Sequence, residues 1–296
     1  MRNLLSANFL RLRKSWLFWG TLVFMAGYAL WQIRFWVIFG GITVDPIIFD
    51  YAGVIGTAAA VWSSLFLGTD YSNGTMRNKL VAGHTRLAVY FAALITNTTV
   101  ALLQCAAYLA VAFGLGTLFI GLPTMEASRF LSLLAGTLVM TVAFCAIFTA
   151  VGMLCAQKTA AAVLCIAGSL VLFGYMSSVD SYLSIPEYSI SVNIFGDQIE
   201  VAYTLNDGYV SGTRRAVFQF LDDVVPSGQA VQYMRNREQE EIDPYIAEVL
   251  SPEQIEIYMQ YQRQKADPLP LAAYSLAVAA LFTALGAALF QKKDLK

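Results

Sequence analysis

Six apolar runs, each close to the length that crosses a bilayer, confine this chain to one kind of fold. They cover residues 16 to 40, 51 to 68, 87 to 119, 130 to 155, 159 to 176 and 269 to 290. A helix needs about 20 apolar residues to traverse the hydrocarbon core, and in lipid a helix satisfies all its backbone polar groups within one segment. The composition agrees: 57% of the 296 residues are hydrophobic and 13% charged, where soluble domains carry about 25% charged residues. The expectation is an all-α membrane protein with six transmembrane helices. The third and fourth runs exceed one crossing and can tilt or project. The first run is longer than a signal-peptide core of ~7–15 residues and lacks a small-residue cleavage site, so it is expected to stay as an anchor.

Charge sets the expected orientation. With both termini in the cytoplasm, the inner side holds Arg2, Arg11, Arg13, Lys14, Arg77, Lys79, Arg86, Lys158, Lys292, Lys293 and Lys296, against the acids Asp70 and Asp294. The short outer loops carry only Arg34 and Arg129, which is the bias of the positive-inside rule. Residues 177–267 form one soluble-like block with fifteen acids and six bases. Alternation through Tyr188, Ile190, Val192 and Ile194, a Gly196-Asp197 turn, and Ile199, Val201, Tyr203 and Leu205 predicts a β-hairpin. After Gly212 the spacing turns helical up to Pro226, and a second helix is expected over 227–241. Ser251, Pro252 and Gln254 give a third helix its cap, first residue and capping box. The block therefore reads as a small α+β extracytoplasmic domain between the fifth and sixth helices. The division expected is 1–176 for helices 1–5, 177–267 for this domain, and 268–296 for helix 6 and a cytoplasmic tail.

Several chemistries find no support. No acid lies in a span core, which argues against a proton- or sodium-coupled carrier. There is no G-x-x-x-x-G-K-[ST] phosphate loop, so any ATP must be bound by another chain. His84 is the only histidine, and no G-x-S-x-G sequence or cysteine beside a base offers a nucleophile. The spacing of Cys105, Cys145, Cys155 and Cys165 fits no metal pattern, and these read as small apolar residues. The pairs Asp222-Asp223 and Glu238 to Glu241 read as solvated acidic helix faces. Polar residues inside the runs, Ser63, Ser64, Thr96 to Thr99, Gln104, Thr137 and Thr141, either line a pathway or bond helices to one another.

The most informative polar segment is Gly68-Thr-Asp-Tyr-Ser-Asn-Gly-Thr-Met-Arg-Asn-Lys-Leu-Val-Ala-Gly-His-Thr-Arg86. Ser72 or Asn73 can cap a two-turn helix that Gly83 ends, with Met76 and Leu80 on one face and Arg77 and Lys79 directed to water or a partner. A basic loop that only fixes topology is the simpler alternative.

At this point the chain resembles the permease subunits of ATP-binding-cassette transporters, type 2 exporter class. The resemblance is carried by the amphipathic start Phe9 to Trp19, the loop Asp70 to Leu80 with Gly83 and Arg86, the turn at Gln157-Lys158, and the ending Phe290 to Lys296. It implies an N-terminal amphipathic helix and a loop, 69–86, that couples to an ATPase through Asp70, Gly74, Thr75, Met76, Arg77, Lys79, Leu80, Gly83 and Arg86. It also implies a second permease chain, most simply a homodimer, in a bacterial cell membrane, with no nucleic-acid partner. ATP and Mg would sit on a separate ATP-binding-cassette ATPase subunit, with no cofactor on this chain and no enzyme activity of its own. The sparse polarity of the spans suits an amphipathic or lipidic cargo: a drug, a lipid or an antimicrobial peptide. The alternative is a membrane sensor or scaffold with a ligand-binding ectodomain.

Overall fold

The computed structural model describes residues 1–155, 157–195, 198–235 and 267–293, with backbone alone for 189–203. Among the described residues six helices are long and apolar enough to cross a membrane. In chain order the elements are α1 (Arg2–Arg13), α2 (Trp16–Ile38), α3 (Asp45–Ile48), α4 (Tyr51–Ser72), α5 (Thr75–Val81), α6 (Arg86–Phe119), α7 (Ala127–Leu154) and α8 (Lys158–Ser184). There follow β1 (Tyr188–Phe195), β2 (Gln198–Leu205), α9 (Gly212–Val224), α10 (Pro226–Arg235) and α11 (Pro268–Lys292). The fifth run was expected to end near residue 176, yet α8 continues to Ser184. Ser178, Ser181 and Ser184 each donate a hydroxyl to the carbonyl one turn back, so polar side chains prolong the helix without leaving it.

α4 is the centre of the bundle. The most apolar stretch of the span containing it is 67% buried, against 22% for α8. Glycines and alanines make this possible. Gly56 lies where a Cβ would stand 2.8 Å from the Phe144 ring of α7, and Gly68 where one would meet the Lys158 backbone at 2.9 Å. α11 packs mainly on α7 and also reaches α6: a Cβ on Gly286 would fall 2.3 Å from the Tyr90 hydroxyl and 2.8 Å from Ala150. Such small-residue contacts let helices pack where lipid supplies no hydrophobic drive. α6, with 34 residues, is about 51 Å long at 1.5 Å per residue, longer than the ~30 Å apolar core needs.

β1 and β2 pair antiparallel, as the alternation predicts, with Ile190 opposite Tyr203, Val192 opposite Val201 and Ile194 opposite Ile199. The Gly196-Asp197 turn, the third helix from Ser251 and the acidic run Glu238 to Glu241 lie outside the described residues. α9 and α10 are helical as expected, but α10 is not a solvated element. Ala230 and Tyr233 are fully buried and join the core cluster built from α2, α4, α6, α7 and α11. Asp222 is also fully buried, which corrects the expectation of a solvated acidic face. The cause is the turn at Pro226, which folds α10 back against α9 and covers Asp222. Gln232 Nε2 donates to the Asp222 carbonyl at 2.9 Å and to Asp223 Oδ1 at 3.1 Å.

Candidate functional site

The predicted site residues gather at one end of the bundle, where α1, α5, the start of α6 and the end of α11 meet. The turn from α4 to α5 is made by Gly74 at φ +67, a left-handed conformation that favours glycine. α4 itself continues through Ser72 and is closed by Asn73, so neither Ser72 nor Asn73 caps the short helix; Gly74 takes that position. Thr75 begins α5, and Gly83 at φ +87 ends the loop as expected. The next helix has a cap the sequence reading passed over: Thr85 Oγ1 accepts from the Ala88 amide at 3.2 Å. A Thr immediately before a basic first residue and an apolar run was the available signal.

Met76 is 2% exposed and packs with Leu80 into a cluster that includes Leu4 and Leu12 of α1 and Phe66 of α4. Burying one such side chain contributes about 1.5–3 kcal/mol, enough to seat a helix of two turns. Arg77 is exposed as expected. Lys79 is not: its Nζ turns inward and donates to Asp70 Oδ2 at 2.8 Å and to Asn8 Oδ1 at 3.5 Å. Asp70, 1% exposed, also pairs with Arg11 of α1. Arg11 donates to the Phe66 carbonyl at 3.3 Å and lies 4.0 Å over the Phe66 ring. One buried carboxylate thus holds cations from two separate segments, and Asn8 adds a bond to Thr96 Oγ1 at 3.1 Å. The signal was present in the sequence, since Asp70 and Asp294 are the only acids among the bases assigned to that side.

Arg86 also serves the fold. Its guanidinium donates to the carbonyls of Phe290 and Gln291, each at 3.2 Å, and to that of Lys293. A cation at a helix C-terminus satisfies carbonyls that have no partner within the helix and complements the helix dipole. Lys293 then reaches the Met153 carbonyl at 3.0 Å and the Tyr71 hydroxyl at 3.2 Å. Burial lowers the Lys293 pKa below its ordinary value by penalising the ammonium, with the neighbouring Cys155 thiol acting weakly the other way. The groups left on the surface of the loop are therefore Ser72, Asn73, Arg77, Asn78, Val81, Ala82, Gly83 and Thr85. Val81 stands 79% exposed on a helix only two turns long. An arginine, an amide and a bare aliphatic side chain on a pinned helix make a small contact surface.

The polar residues of the spans form an internal seam. Ser63, Ser64, Thr96, Asn97, Gln104, Thr137 and Thr141 are fully buried. Thr96, Thr137 and Thr141 donate back to their own helices. Asn97 accepts from Trp62 Nε1 at 3.1 Å and donates to Thr149 Oγ1 at 2.9 Å, joining α6 to α4 and α7. Gln104 and Ser63 have side-chain polar atoms without a partner among the described residues. The cysteines are free thiols, with Cys105, Cys145 and Cys165 buried in the packing. Among the described residues no cluster of three His, Cys, Asp or Glu side chains could hold a metal ion.

No family model, curated protein or solved structure matches the chain. The family resemblance rests on the sequence motifs quoted above.

Proposed function

We propose that the chain is the membrane-spanning permease subunit of an ATP-binding-cassette exporter, and that α5 is the helix through which a separate ATPase subunit drives it. The observation that carries the reading is the contrast within α5. Met76, Lys79 and Leu80 are committed to α1 and α4, while Arg77, Asn78 and Val81 are left to solvent. A helix held on one face and bare on the other transmits a push on its exposed face to the two segments that hold it. ATP and Mg belong on the partner, and the cargo class remains an amphipathic or lipidic molecule. In this reading α1, α5 and the end of α11 face the cytoplasm of a bacterial cell, two permease chains assemble, and residues 177–267 lie outside.

Two measurements test it. Arg77→Glu keeps the internal pairs intact but places a like or unpaired charge on the contact. The variant is expected to insert and fold as wild type, and to lose copurification with the ATPase subunit or the stimulation of its ATP turnover. Wild-type assembly and turnover would leave α5 as a topological loop. Orientation is read separately by single cysteines at Ser72 and Ser211, both exposed. An impermeant thiol reagent added to intact cells is expected to label Ser211→Cys and to spare Ser72→Cys until lysis; the reverse would invert the topology.

A further inference from the structure

Helix α9 has an apolar arc wider than the protein surface it meets. Phe218 and Leu221, with Val225 just beyond, pack on Met176, Val179 and Leu183 of α8. Val217 and Phe220 also lie on the apolar arc, yet they are 49% and 61% exposed. The helical period places Val217, Phe220 and Val224 in one stripe beside the covered one, with Gln219 on the opposite side.

The surroundings identify what covers this stripe. α9 packs against α8 and α11, two of the six helices long enough to cross a membrane. It meets the last turns of α8, and Tyr182 there is 46% exposed and 6.3 Å from Phe218, ring to ring. Leu269, at the start of α11, is 79% exposed. Tyrosines are enriched where a spanning helix leaves the hydrocarbon for the headgroups, because one end of the ring is apolar and the other polar. Arg214 completes the pattern: exposed, it lies 5.2 Å over the Phe218 ring and 6.0 Å from the Tyr182 ring. An apolar edge, a guanidinium and tyrosine at the mouth of two spans match the chemistry of helices that lie in the membrane interface.

We infer that α9 is an interfacial helix, with Val217 and Phe220 seated in the lipid at the level of the headgroup boundary and Arg214 among the lipid phosphates. The occupant is lipid because the stripe continues the exposed surface of α8 and α11, which the same lipid covers. This inference requires only that α8 and α11 span, and it stands apart from the permease reading.

The test uses the full chain in vesicles of phosphatidylcholine and phosphatidylglycerol. Nitroxide labels are placed at Val217→Cys, Phe220→Cys and Gln219→Cys, with the four native cysteines replaced by alanine. Power saturation compares accessibility to oxygen, which concentrates in lipid, with accessibility to a nickel chelate, which stays in water. The oxygen-to-nickel ratio is expected to be several-fold higher at positions 217 and 220 than at 219. Equal, nickel-accessible labels at all three positions would overturn the proposal. Spin-spin broadening at position 220 that disappears on dilution with unlabelled chain would also overturn it, since a second copy would then be the occupant. Should the cysteine-free background fail to fold, Phe220→p-benzoylphenylalanine with the native cysteines retained gives an independent reading. Irradiation is expected to yield an adduct of lipid mass, and an adduct to protein, or none, refutes the assignment.

Discussion

The two ends of the bundle are closed by different chemistry. At the end that gathers α1, α5 and the last turn of α11, the contacts are ionic: Asp70 binds Arg11 and Lys79, and Arg86 binds the terminal carbonyls of α11. At the other end, α10 is fixed chiefly by neutral groups and by shape. Gln229 Nε2 donates to the Leu271 carbonyl at 3.1 Å, Ser275 donates to Gln229 Oε1, and Tyr233 sits where Gly136 lacks a side chain. Among the described residues one ion pair, Arg235 with Asp180, marks its rim. A charge paired inside a protein contributes little net stability, but removing one partner is costly because the other is left unpaired. A close-packed contact responds instead to volume. The first end should therefore be sensitive to charge and tolerant of small changes in size, and the second the reverse.

The largest effect is expected from Asp70→Asn, which is nearly isosteric and removes only the charge. Lys79, with its side chain 14% exposed, would lose its counter-ion, while Arg11, 35% exposed, can turn to water. Breaking a buried pair in this way costs about 3–5 kcal/mol, and the exposure of Arg11 places the expected loss near the lower limit. Unfolding in mixed detergent micelles measures it. Asp180→Asn at the opposite end, where Arg235 is 26% exposed, should cost less. Equal losses would erase the distinction between the ends.

Gly136→Val tests the other half of the comparison. Its Cβ would lie 2.2 Å from the Tyr233 hydroxyl oxygen and 2.9 Å from the ring carbon bearing it. Overpacking of this kind costs about 1–3 kcal/mol. The loss should be relieved in part by Tyr233→Ala, and a double-mutant cycle would show coupling between the two positions. Tyr233→Phe alone should be neutral or slightly stabilising, because the buried hydroxyl has no partner among the described residues. Burial also raises its pKa by penalising the phenolate. Without coupling in the cycle, shape would not be what fixes α10.

These two ends were not equally legible in the sequence. The spans were readable because about 20 apolar residues admit one interpretation in a membrane, and the hairpin because its alternation has a period of two. Gly83 was readable as a terminator for the same local reason. Lys79 was misjudged because helical spacing says which residues share a face, not that a lysine four-carbon stem can turn back to a carboxylate nine residues earlier. The resemblance places Arg86 in the coupling loop, but no local pattern shows that its guanidinium binds carbonyls more than two hundred residues away at the end of α11. The insertion of α10 depended on Gly136 and Gly53 leaving room for Tyr233 and Met234, contacts between segments distant in the chain. Ser227, Gly228 and Ala230 beside Pro226 were the only local trace of that close packing.

Gln104 offers the smallest change and the one with opposite sign, because it belongs to neither end. It is fully buried on α6, and among the described residues neither its amide nitrogen nor its carbonyl oxygen has a partner. Asn97, two turns away on the same helix, has both of its groups satisfied, so the seam can supply partners where the fold uses them. An unsatisfied buried amide costs about 1–3 kcal/mol, and leucine fills a similar volume without that penalty. Gln104→Leu is therefore expected to stabilise the protein by about 1 kcal/mol, with a correspondingly higher thermal midpoint in detergent. Asn97→Leu should do the opposite, since it strands Trp62 Nε1 and Thr149. If Gln104→Leu destabilises the chain, the amide has a partner in the folded protein and the seam is fully satisfied.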